Sequence, residues 1–229
     1  LSNLLKTNKK IIRFDLPAFG LTGPNRLNQY NFNYYNQFLD EFLLKLNVTQ
    51  CIVAGNSLGG SIAWNYAIAS PDKVKQLILL DASGYPKKDE KGSLGFKLAA
   101  IPVLNQALKH ISPISLIRKS LEDAFYNKAL VTEKMVQQYH DMLLREGNRA
   151  AVLELFQHPM KADATKIKMI TQPTLIIWGK EDQLISYTNA SLFKQDIQNS
   201  RVLVLDKVGH IPMEEAPNQV ATAILEFIK

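Results

Sequence analysis

At 229 residues the chain has material for one sizeable core and too little for two independent domains. A hydrophobic share of 46% against 21% charged residues is that of an ordinary globular protein and excludes a disordered or fibrous chain. The net charge of +6 comes from scattered lysines, dense only at positions 6–10 and in the mixed-sign stretch 86–91; with no nucleic-acid-binding motif beside them, a solvated surface is the reading.

The chain opens without an initiator Met and runs into Lys10 to Asp15, which reads as a strand. Asn33 to Leu46 reads as a helix, with Tyr34, Phe38, Phe42 and Leu46 spaced by four along one face. Gln50 to Ala54 is a strand carrying the single cysteine, Cys51, which cannot form an internal disulfide and reads as a small core residue. Gly59 to Ala69 follows as a helix stopped by Ser70-Pro71, and Val74 to Asp81 is an apolar run typical of a strand buried on both faces. Between Gly84 and about Ala164 the strand rhythm stops. Apolar residues from Leu94 to Ile117 are broken by Pro102 and Pro113, and Val131 to Leu144 looks helical. Strands return at Pro173 to Gly179 and Ser200 to Asp206, and a last helix begins after His210. Such alternation predicts an α/β fold with a mainly parallel sheet covered by helices. No run of eighteen apolar residues and no signal peptide occurs in the sequence.

The chemistry concentrates in Cys51-Ile-Val-Ala-Gly-Asn-Ser-Leu-Gly-Gly60, a strand running into Gly-x-Ser-x-Gly and then a helix. A serine on a sharp strand-to-helix turn projects its hydroxyl, and the crowded turn requires small neighbours, which accounts for Gly55 and Gly59; Gly60 lets the helix pack close to the sheet. Asp182 follows the strand that ends at Gly179, and His210 follows the strand that ends at Asp206. A nucleophilic serine needs a base, and the base needs a carboxylate to fix its tautomer and stabilise its charged form. Ser57, Asp182 and His210 supply all three at the carboxyl ends of three expected strands, the edge where open parallel sheets carry their sites. Asp81, at the end of the strand after the elbow, is the alternative acid.

On these residues the sequence resembles the α/β-hydrolase superfamily, and within it the serine esterase/lipase group similar to the Moraxella-type lipase. The shared segments are Gly55 to Gly60, Asp81-Ala-Ser-Gly-Tyr-Pro86 and Arg13-Phe-Asp-Leu-Pro-Ala-Phe-Gly-Leu-Thr-Gly-Pro24. The resemblance implies an α/β-hydrolase core at 1–83 and 165–229 with a helical cap inserted at 84–164. It implies a cofactor-independent ester hydrolase, with the backbone N–H of Leu58 as one oxyanion donor. Members of the family carry a His-Gly loop that gives the second donor, on strands earlier than any found here. No His-Gly pair precedes Ser57, so the expectation is that this chain is the larger part of a longer protein whose N-terminal strands lie elsewhere.

The expected partner is a small ester or a lipid; no nucleic acid is expected, and membrane contact would come through the cap or an upstream segment. Location stays open between the cytoplasm and a periplasmic or membrane-associated site. A carbon–carbon bond hydrolase of ring-cleavage products uses the same triad and would take its substrate carboxylate on Arg118, Arg145 or Arg149. A non-catalytic protein that kept the fold is the third reading. Asp15 is expected to order its loop and Asn56 to stabilise the turn, while His110, His140 and His158 read as surface or packing residues. No His-Glu-x-x-His, cysteine pair, phosphate loop or dinucleotide fingerprint is present, so neither metal nor cofactor is expected.

Overall fold

The structure, a computed structural model, describes residues 1–6, 9–86 and 111–229. Four parallel strands lie side by side in chain order: β1 (Cys51–Asn56), β2 (Val74–Leu80), β3 (Thr174–Gly179) and β4 (Ser200–Leu205). Among the described residues the helices are α1 (Ser2–Leu5), α2 (Phe32–Lys45), α3 (Leu58–Ala69), α4 (Ile114–Ala124), α5 (Glu133–Leu144), α6 (Asn148–Gln157), α7 (Thr188–Asp196), α8 (Pro212–Glu215) and α9 (Pro217–Phe227). Parallel neighbours require a crossover, and α3 and α7 provide the short ones.

The central strands explain their own apolar runs. Successive side chains point to opposite faces, so Leu77 and Leu79 of β2 join Ile176 and Trp178 of β3 in one core with Trp64, Tyr66 and Phe193. The alternate set, Ile78, Leu80, Leu175 and Ile177, forms a second core with Val220 and Ile224 of α9. All six residues of β3 are buried. Each large apolar side chain held there contributes roughly 1.5–3 kcal/mol, so burial on both faces makes β2 and β3 the anchor of the fold. The edge strand β4 is barer, with Val202 and Val204 exposed.

Two expectations are corrected. Lys10 to Asp15 forms no strand: Ile11, Ile12 and Phe14 are each more than a third exposed. A strand needs a neighbour for its N–H and C=O groups, and among the described residues β1 is the outer strand of the sheet. Phe14 instead packs its ring on Phe42 at 4.6 Å and Phe38 at 6.0 Å. In α2, the buried face is Tyr35 and Leu39 rather than the stripe one residue earlier, where Leu46 is exposed. That stripe of Tyr34 and Phe38 is half-buried around the loop, and Asn31 caps the helix by accepting from Tyr34 N at 2.9 Å.

Between β2 and β3 the chain departs into α4, α5 and α6. Leu121, Ala124, Phe125, Val131 and Val136 of this helical segment enclose Ile211, while Ala151 and Leu155 pack on Ala18. Asn148 ties the segment to the loop after Asp15, donating to Gly20 O at 2.9 Å and Met142 O at 2.7 Å. Positions 87–110, which include most of the Leu94 to Ile117 stretch and His110, lie outside the described residues. No helix of the described residues is long and apolar enough to cross a membrane.

Candidate active site

Ser57 stands between β1 and α3 with φ 54° and ψ −118°, a conformation seldom adopted by a residue with a side chain. Such strain persists only where the surroundings hold it. Here Ser57 N donates to Leu80 O at 3.0 Å, and Ser57 O accepts from Ser61 N and Ser83 N. A Cβ on Gly55 would sit 2.2 Å from Gly59 O, and one on Gly60 would sit 2.5 Å from the Ala82 Cβ. Gly59 differs from the expectation, since a Cβ there meets nothing within 4 Å; the crowding falls on Gly55 and Gly60. Leu58 is the first residue of α3, and an N–H in a helix's first turn has no acceptor within the helix.

His210 and Asp182 meet from two different loops. His210 Nδ1 lies 2.7 Å from Asp182 Oδ2, with both side chains buried. The second oxygen, Asp182 Oδ1, accepts from Leu184 N at 2.8 Å and Ile185 N at 3.0 Å, so the carboxylate is aimed at the imidazole. The histidine's backbone is also held, with His210 N donating to Ala124 O at 2.7 Å. That bond joins the histidine turn to the end of α4.

Asn56 does more than steady its turn. Its Nδ2 donates to Leu80 O at 3.1 Å and to His210 O at 2.9 Å, joining elbow, β2 and histidine loop. Glu215 makes a second clamp: Oε2 accepts from Gly209 N at 2.7 Å and Tyr126 N at 3.2 Å, and Oε1 from Asn127 N at 2.6 Å. Sequence reading passed over Glu215; its only local sign is an acidic residue in the first turn of a helix that starts at a proline.

Asp81 and Asp182 prove to be neighbours rather than alternatives in separate places. Asp81 is fully buried, its Oδ1 accepts from Gly179 N at 2.9 Å, and one ligand-capable atom each of Asp81, Asp182 and His210 fall within 4.8 Å of one another. Burial, then the charge of Asp182, hold the Asp81 carboxyl well above the ordinary carboxylate range. Asp15 orders its loop as expected, accepting from Leu21 N at 2.8 Å. His140 bonds Ser112 O at 2.9 Å, and His158 pairs with Glu154 on the surface.

Beside this cluster a cavity of about 1060 Å³ opens between the helical segment and the core. Leu116, Ile117, Met135, Val152, Leu184 and Ile211 give it an apolar lining, and the last two adjoin the Asp182 and His210 turns. Arg13 and Arg149 also line it. Arg118 pairs with Glu133, and Arg145 lies under Gly23, where a Cβ would sit 1.6 Å from its Nη1.

A parallel sheet with a strained serine at the first crossover and a buried histidine–carboxylate pair at the same edge is the architecture of an α/β hydrolase, and the chain belongs to that family. The family model described as alpha/beta hydrolase fold matches residues 1–217. The chain is 28% identical over 227 residues to an uncharacterized hydrolase, YugF, of Bacillus subtilis, covering 99% of this chain and 82% of that one. It is 26% identical over 242 residues to the human monoacylglycerol lipase ABHD6, covering 98% and 68%. Among solved structures, a meta-cleavage product hydrolase of Pseudomonas fluorescens IP01 superposes with a TM-score of 0.82 at 20% identity, covering 99% and 82%.

Proposed function

We propose that this chain is a serine hydrolase of carboxylic esters, with Ser57 as nucleophile, His210 as base and Asp182 as the acid that orients it. The supporting observation is the 2.7 Å contact between His210 Nδ1 and Asp182 Oδ2 behind the elbow that presents Ser57. With Nδ1–H committed to Asp182, Nε2 is the unprotonated nitrogen and accepts the Ser57 hydroxyl proton as Oγ attacks the ester carbonyl. The negative oxygen of the tetrahedral intermediate receives the Leu58 N–H. The imidazolium then protonates the departing alcohol, leaving Ser57 acylated. Water, giving its proton to the same nitrogen, attacks the acyl-enzyme and restores the hydroxyl. Helices α4 to α6 of the 84–164 insertion act as a cap, and the apolar cavity beneath them receives the acyl chain. The kinship with a monoacylglycerol lipase supports a lipid-like ester.

A carbon–carbon bond hydrolase is the second reading, favoured by Arg13 and Arg149 in the cavity lining, where a substrate carboxylate could be received. Intact-mass spectrometry after exposure to a fluorophosphonate, with Ser57→Ala as control, tests the nucleophile. A single adduct lost in the control is expected; an unlabelled folded protein would sink the serine-hydrolase reading. A chain-length series of simple esters run beside a vinylogous diketone acid then separates the two chemistries.

A further inference from the structure

The triad as proposed leaves a buried carboxyl beside it unused. Asp81 sits at the end of β2 with φ 43°, fully buried, and Gly179 N donates to its Oδ1. Its Oδ2 is also buried and has no hydrogen-bond donor among the described residues. A second carboxyl lies close beside it: an oxygen of Asp81, an oxygen of Asp182 and a ring nitrogen of His210 all fall within 4.8 Å of one another. Two buried carboxylate oxygens cannot sit together unless a proton lies between them. Asp182 is already committed, with Oδ1 to two backbone N–H groups and Oδ2 to the histidine. The proton therefore belongs on Asp81.

We propose that Asp81 is a positioning residue for the histidine base: as a carboxylic acid it donates its Oδ2–H to the Asp182 carboxylate, fixing that carboxylate against His210 and drawing off part of its negative charge. This rests on the serine-hydrolase reading for its kinetic consequence. Among the described residues the charged and titratable groups facing Asp81 are Asp182, His210 and, from α8, Glu215, whose carboxylate is taken up by three backbone N–H groups. With Asp81 neutral, Asp182 is the single negative charge in contact with the imidazole among the described residues. A bond from Asp81 draws negative charge away from the carboxylate that holds the imidazole, so removing Asp81 strengthens that hold. Asparagine reproduces the arrangement, since its oxygen accepts from Gly179 N and its amide donates to Asp182. It is also among the residues best suited to the positive φ.

The test compares wild type with Asp81→Asn, Asp81→Ala and Asp182→Asn. Three readouts are used: fluorophosphonate labelling rate against pH, the infrared band of a protonated carboxyl, and the downfield proton resonance of His210 Nδ1–H. Wild type should show a carboxylic-acid band at neutral pH that Asp81→Asn lacks. Asp81→Asn should label within about threefold of wild type, whereas Asp81→Ala should label about tenfold more slowly or worse. The acid limb of Asp81→Ala should move to higher pH by about half a unit, with a displaced Nδ1–H resonance. The proposal is overturned if wild type shows no carboxylic-acid band. It is also overturned if Asp81→Asn is inactivated while Asp182→Asn is spared, which would make Asp81 the ionised acid. Asp81→Ala losing stability with an unmoved acid limb would reduce the residue to a structural role. Should Asp81→Ala fail to fold, the infrared band and Asp81→Asn decide. Failure of wild type to label at Ser57 would reject the serine-hydrolase reading, and the infrared and resonance arms would still decide where the proton sits.

Discussion

The side-chain amide of Asn56 donates to the carbonyl oxygen of His210 at 2.9 Å, across 154 positions of sequence. The residue just before Ser57 thus holds the backbone of His210. Removing the amide in Asn56→Ala strips partners from both Leu80 O and His210 O and should destabilise the protein by about 1–3 kcal/mol. Labelling of Ser57 should slow by about tenfold or more, because a misplaced base loses its alignment. Urea unfolding and labelling rate check the two effects separately. Equal labelling in the folded variant would show that the histidine loop holds its place without Asn56.

Glu215 fastens the histidine turn to residues 126 and 127 through three backbone N–H donors. Glu215→Gln keeps the size but replaces one acceptor oxygen with an NH2 that faces donors. A loss of about 1.5–3 kcal/mol is expected, in the range for hydrogen bonds to charged groups. Limited proteolysis should gain a cleavage site near Tyr126, where the backbone has lost its partner. An unchanged urea midpoint would contradict the clamp.

The glycines of the site should separate by their surroundings. At Gly179 a Cβ would lie 2.0 Å from Gly209 O, so Gly179→Ala must push the histidine turn away from β3. Gly60→Ala meets Ala82 in the same manner, while Gly59→Ala meets open space. The first two should destabilise by about 1–3 kcal/mol or more, and Gly59→Ala should stay within about 0.5 kcal/mol of wild type. Urea midpoints of the three variants give the ranking directly, and an equal loss at Gly59 would contradict it.

The buried Asp81 has a signature in the pH dependence of stability. Its folded-state carboxyl is held above its unfolded value, first by burial and then by the charge of Asp182. The stability it contributes is therefore fully present below the unfolded value and is lost as pH rises through the folded one. Between about pH 4, where an unfolded aspartate titrates, and the folded value, wild type should lose about 1.4 kcal/mol per pH unit relative to Asp81→Asn. Urea unfolding of both proteins from pH 4 to 8 measures the difference. Curves that run parallel would mean that Asp81 ionises normally in the folded protein.

Much of this molecule could be read before its structure. The apolar runs at Val74 to Leu80 and Thr174 to Gly179 form the two central strands, because burial on both faces leaves no polar position to confuse the pattern. Gly55-Asn-Ser-Leu-Gly59 falls on the strand-to-helix turn, and the buried His210 lies against Asp182. Lys10 to Asp15 misled the reading since its composition suits a strand, yet a strand also needs an edge to join. The stripe on α2 was displaced by one residue for a similar reason: spacing by four marks a face but does not say what lies opposite it.

Local pattern alone specified the alternation of strands and helices, the tight serine turn and the chain order of Ser57, Asp182 and His210. Each of these is written in local terms, as side-chain period, glycine at a crowded turn, and residue type at a strand end. The folding together of distant segments is what sets Asp81 and Asp182 side by side, brings Asn56 to His210, and clamps the neighbouring turn on Glu215. Those relationships join residues from 6 to 154 positions apart, and they exist because sheet order places the carboxyl ends of β1, β2 and β3 together. Burial there removes the water that would otherwise satisfy each polar group, so every carboxylate and carbonyl must find its partner within the protein.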